Sequence, residues 1–81
     1  MARREPKIRM TLGRELASEP KAGGVIVAER DGYAWAFLRS GAISTPNNKQ
    51  WVAATVKDDR YYAWTDIKTK WNILVAFEIE K

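Results

Sequence analysis

The chain has 81 residues, 14 Lys and Arg against 10 Asp and Glu, a formal charge of +4, and neither cysteine nor histidine. Disulfides, thiolate metal sites, the usual zinc ligands, a Ser-His arrangement and the usual general base near neutral pH are thereby excluded. Stability must come from packing, and four Trp, three Tyr and two Phe are the large pieces available to a domain near the lower size limit for a single core.

Residues 1–6 read as a disordered basic arm ending at Pro6, and residues 7–81 as one small β domain. The positive charge is concentrated early: residues 1–21 hold six basic side chains against three acidic, residues 22–81 eight against seven. The apolar runs are too short to span a bilayer, and no apolar segment follows the basic N-terminus as a secretory signal requires. The expectation is a soluble cytoplasmic protein.

Ile8, Met10 and Leu12 alternate, which predicts a short strand running into one helical turn, with Pro20 and Gly23-Gly24 ending that segment. "GVIVAERDGYAWAF" (24–37) follows as a β-hairpin. Asp31-Gly32 is a strong two-residue turn signal because both central positions of a type I′ turn need positive φ. That turn pairs Arg30 with Tyr33, Ala28 with Trp35 and Ile26 with Phe37. One face then carries Ile26, Ala28, Tyr33, Trp35 and Phe37, the other Val25, Val27, Ala34, Ala36 and Leu38. Both faces are apolar, so at least partial cover on both sides is expected.

Residues 40–49, "SGAISTPNNK", form a polar loop of the kind that carries partner contacts. A second hairpin, "QWVAATVKDDRYYAW" (50–64), turns near Asp58 to Arg60. It places Trp51, Ala53, Thr55, Tyr62 and Trp64 on one face and echoes the first hairpin in its Tyr-Ala-Trp. Thr65-Asp66 offers an N-cap for a helical turn through Lys70. In "WNILVAFEIEK" (71–81), Ile73, Val75, Phe77 and Ile79 alternate as a half-buried strand.

These elements predict a mainly β fold, a small antiparallel five- to six-stranded SH3-like or OB-like barrel with one or two short helical turns. The rings are expected to point inward, since so short a chain can hardly leave most of them in water. Tyr61, on the opposite parity to Tyr62 and Trp64, is the leading outward ring, followed by Trp51 and Trp71 beside polar loops.

Catalytic vocabulary is thin. Three of the four Asp residues sit where turns or caps need them, and Asp58-Asp59 lacks the spaced partners of a calcium loop. Gly23-Gly24 lacks the helix and Lys of a phosphate loop. Ser40, Ser44 and Thr45 have no base nearby. No cofactor, no metal and no enzymatic activity are expected.

Gly24-Val25-Ile26-Val27, then Asp31-Gly32-Tyr33-Ala34-Trp35, then a strand opened by Trp51 make a pattern over the middle third of the chain. It resembles small bacteriophage-encoded β-barrel (SH3-like) proteins of unassigned function. The resemblance implies a phage product acting in host cytoplasm, where such domains often block a host protein. It carries over no functional residues.

The leading functional expectation is a non-enzymatic modulator or inhibitor of a host protein, using Trp51, Arg60, Tyr61, Asn47 and Asn48, because Trp, Tyr and Arg dominate interfaces. One alternative is weak binding of single-stranded DNA or RNA, with phosphate contacts from Arg3, Arg4, Lys7 and Arg9. Another is sequestration of a nucleotide between rings in the barrel mouth. A monomer and a homodimer paired through an edge strand both suit this reading.

Overall fold

The computed structural model describes residues 7–40, 49–56 and 60–80. The alternating segment Lys7–Leu12 is β1, and a single 3-10 turn, Gly13–Glu15, follows it. The hairpin is β2 (Val25–Arg30) and β3 (Tyr33–Arg39), joined in the expected register, with Asp31 at φ 54° and Gly32 at φ 82°. β4 (Trp51–Ala53) and β5 (Tyr61–Tyr62) are short, α1 spans Trp64–Lys70, and β6 (Asn72–Glu80) closes the order. Residues 1–6, Asn47, Asn48, Asp58 and Asp59 lie outside the described residues.

All six strands form one antiparallel sheet in the order β1-β6-β2-β3-β4-β5. The expected barrel is corrected here: the sheet is open, with β1 and β5 as its two edges. Strand length explains it. With three residues in β4 and two in β5, the far edge offers too few ladder positions to meet β1. The segment that would lengthen β5 coils into α1 instead. Trp64, expected on the second hairpin, therefore opens the helix. The helix N-cap is Ala63 and not Thr65-Asp66; Asp66 lies three residues further on, and its Oδ2 accepts the Ala63 N–H at 3.3 Å.

The core lies on one side of the sheet. Ile26, Ala28, Phe37, Trp51, Ala53 and Ala76 supply it from the strands, and Ile67 and Trp71 cover them from α1 and its C-terminal end. Trp35, Tyr62, Trp64, Leu16 and Ile73 pack at its margin. The inward orientation expected for Trp35 and Phe37 holds. Tyr33 departs from it: lying just past the turn, it is 74% exposed.

Two expectations about outward rings are corrected. Trp51 is fully buried, and its indole Nε1–H donates to Glu19 Oε2 at 2.9 Å. Glu19 Oε1 lies 3.5 Å from Arg39 Nη2, while Arg39 also donates to Gln50 Oε1 and to the Pro20 carbonyl. This network pins the 16–24 segment over the ring. Trp71 is also buried, because it enters β6 beneath the aromatic cluster and not from a polar loop.

β6 inverts its expected parity. Val75, Phe77 and Ile79 point away from the core, and Ala76 is its buried residue. A β-bulge between Val27 and Ala28 pairs Val27 with Val75 but Ala28 with Ile73, so Leu74 is the extra residue and Ile73 swings to the core side. The second face of the sheet therefore gathers the alternating apolar residues of β1, β2, β3 and β6. Among the described residues no element covers it, although Val25, Val27 and Ala36 are half-buried.

Candidate functional site

Trp71 is the hub of the aromatic cluster. Its ring meets Trp35 at 5.2 Å, Phe37 at 5.2 Å and Tyr62 at 5.4 Å, each edge to face. Such pairs add about 0.5–1.5 kcal/mol beyond area burial, which makes the cluster a rigid floor. The guanidinium of Arg30, at the end of β2, lies 4.9 Å over the Trp71 ring.

Beside this floor opens a cleft of about 400 Å³ between α1, β5 and the end of the first hairpin. Arg30, Lys49, Arg60 and Lys70 line it together with Trp35, Tyr61, Tyr62 and Trp71. Asp66 is the sole carboxylate among those lining groups. It is already engaged by the Ala63 N–H and by Lys70 Nζ at 3.7 Å. Lys70 is thereby paired, and Arg30 Nε lies 3.9 Å from Asp31 Oδ2, so the cleft presents basic side chains within ion pairs beside its rings. The Trp71 indole Nε1 is buried without a hydrogen-bond partner among the described residues. A buried donor left unmatched is uncommon and marks a place short of an acceptor.

Across α1 lies a second depression of about 520 Å³, which again includes Trp71 and adds Arg14, Trp64 and Lys68. Lys68 Nζ stands 6.0 Å from the centre of the Trp64 ring. The helix is thus flanked on both sides by cations next to rings.

Of the residues expected to bind a partner, Arg60 and Tyr61 line the cleft, and Tyr61 is exposed as expected. Trp51 does not belong to it, being sealed in the core, and Asn47 and Asn48 lie outside the described residues. Lys7 and Arg9, expected to touch nucleic acid, sit on β1 opposite Glu80 and Glu78, at the sheet edge remote from β5. Arg3 and Arg4 fall outside the described residues. Arg30, Trp35, Lys49, Tyr62, Lys70 and Trp71 are the site residues that sequence reasoning missed. The available signal was adjacency: Arg60-Tyr61-Tyr62 and Lys70-Trp71 each set a cation against rings.

Among the described residues no group of three or more acidic side chains gathers as a metal site, and no helix is long and apolar enough to cross a membrane. Comparison with protein families, curated proteins and solved structures yields no match to this chain.

Proposed function

We propose that the protein is a small non-enzymatic binding protein of the cytoplasm whose cleft takes single-stranded nucleic acid. The observation that carries this reading is the placement of Arg30, Lys49, Arg60 and Lys70 around Trp35, Tyr61 and Tyr62. Cations that track phosphates, set beside rings that accept stacked bases, are what sequence-tolerant single-strand binding needs. The Lys68–Trp64 pair on α1 extends the same chemistry past the first cleft.

A protein target, the leading expectation from sequence, is the second reading. It is favoured by the exposed Tyr61 beside Arg60, a pairing typical of interface anchors. It stands behind the first because the cleft sets several basic side chains beside several rings, and because Trp51 is buried.

Fluorescence anisotropy with a labelled oligo-dT and an oligo-U, titrated across salt concentrations, tests the proposal. If three or four phosphates are neutralised, log K should fall against log salt with a slope of about −2 to −3. Arg30→Ala, Arg60→Ala and Lys70→Ala should each flatten that slope by about 0.7, and Lys7→Ala with Arg9→Ala should leave it unchanged. A mononucleotide arm separates strand binding from nucleotide sequestration. Salt-insensitive binding, or a slope that the three cleft variants do not change, would overturn the proposal.

A further inference from the structure

The register of the sheet draws one unbroken row across its uncovered face: Met10, Phe77, Val25, Leu38, Val52 and Tyr61, each directly opposite the next on six successive strands. Ile8 with Ile79 lies on one side of that row, and Leu12 with Val75 and Val27 on the other. The residues at the β1 edge are the most open, Met10 at 61% and Ile8 at 69%. The one charged side chain of this face within the strands is Glu29, and its Oε1 is occupied by the Gly32 N–H at 2.8 Å at the hairpin end.

An apolar surface that crosses a whole sheet is far from the scattered exposure normal for a monomer. The rest of the chain does not have the composition to cover it. Residues 1–6 (MARREP) offer only Met1 and Ala2 besides Pro6, residues 41–48 (GAISTPNN) offer Ile43 as their one large apolar side chain, and residues 57–59 are Lys-Asp-Asp.

We propose that the same face of a second copy covers it, giving a two-layer homodimer packed sheet on sheet. A two-fold arrangement brings like against like, and an all-apolar row needs no charge complementarity to do so. Two such sheets stack about 10 Å apart with their side chains interdigitated. Five inter-strand steps of about 4.8 Å and six residues of about 3.3 Å outline a patch of roughly 500 Å² per copy. The pair then buries about 1,000 Å², the threshold for specific association, so the dimer should dissociate on dilution. A partner chosen by charge finds nothing to read on this face. The cleft lies on the other side of the sheet, and Tyr61 is the residue shared by the row and the cleft lining, so association and ligand binding meet at that ring.

Sedimentation velocity on the full chain, from about 1 to about 200 µM, tests this by mass action. The expected result is a rise from the 9.3 kDa monomer toward twice that mass. Leu38→Glu, at the middle of the row, should hold the chain monomeric across the range with its far-ultraviolet circular dichroism unchanged. If that variant does not fold, Met10→Lys at the exposed edge should weaken association at least tenfold. A parent that stays monomeric throughout, or variants that associate as well as the parent, would overturn the proposal. So would a monomeric parent that co-sediments with phosphatidylcholine vesicles, since a lipid surface would then be the occupant.

Discussion

Truncating Trp51 should cost a large share of the stability this protein has. The ring is fully buried, and its N–H is matched by a carboxylate that Arg39 holds in place. Removing a buried Trp to Ala typically costs about 3–5 kcal/mol. A domain of 81 residues has about 4–12 kcal/mol in total at roughly 0.05–0.15 per residue. Trp51→Ala should therefore remove at least about a quarter of the stability, and all of it if the total lies near the lower bound. Trp51→Phe keeps an aromatic ring and loses the donor, and a cost of about 1–2 kcal/mol should lower Tm by about 4–16 °C. Glu19→Ala strands the indole N–H in the core at a cost of about 1–3 kcal/mol, whereas Glu19→Gln retains an oxygen acceptor and should cost less. Urea unfolding followed by far-ultraviolet circular dichroism reads all four variants, with the midpoint moving and the slope unchanged for the mild ones. A Trp51→Ala protein that melts at the parent's midpoint, whatever happens to its binding, would refute the burial argument.

Two glycines give sharper tests of backbone placement. A Cβ at Gly13 would stand 1.8 Å from the Ile73 carbonyl oxygen, so Gly13→Ala must push the 3-10 turn off β6 and should cost about 3 kcal/mol or more, seen as a lowered urea midpoint. Gly32 has open space around its Cβ position but a φ of +82°, so Gly32→Val should cost only the left-handed backbone strain, about 1–2 kcal/mol, measured in the same way.

Local chemistry was readable and remote chemistry was not. Asp31-Gly32 sets the first hairpin to the residue, because turn geometry and a period of two leave no other register for Ile26 opposite Phe37. Ile8, Met10 and Leu12 likewise announce their strand. The burial of Trp51 depends on Glu19, which lies 32 positions away, and no local pattern reports such a partner. Trp64 repeats the Tyr-Ala-Trp of the first hairpin, yet Asp66 caps a helix there, and short-range capping prevails over a strand of two residues. The cleft is assembled from Arg30, Lys49, Arg60 and Lys70, which come together only when β5 and α1 fold back beside the first hairpin. Of that constellation the sequence showed the Arg60-Tyr61 pair and little more.

The bulge in β6 bears on how this protein tolerates change in length. Removing one residue from a strand ordinarily turns every side chain beyond it to the wrong face. Leu74 is an exception, because Val75 already faces away from the core and Ile73 already faces toward it. With Leu74 deleted, those two would become consecutive strand residues of opposite facing, as an unbroken ladder requires. An eighty-residue version lacking Leu74 keeps every other side chain of β6 on its present side, which makes this the natural place in β6 for a one-codon deletion.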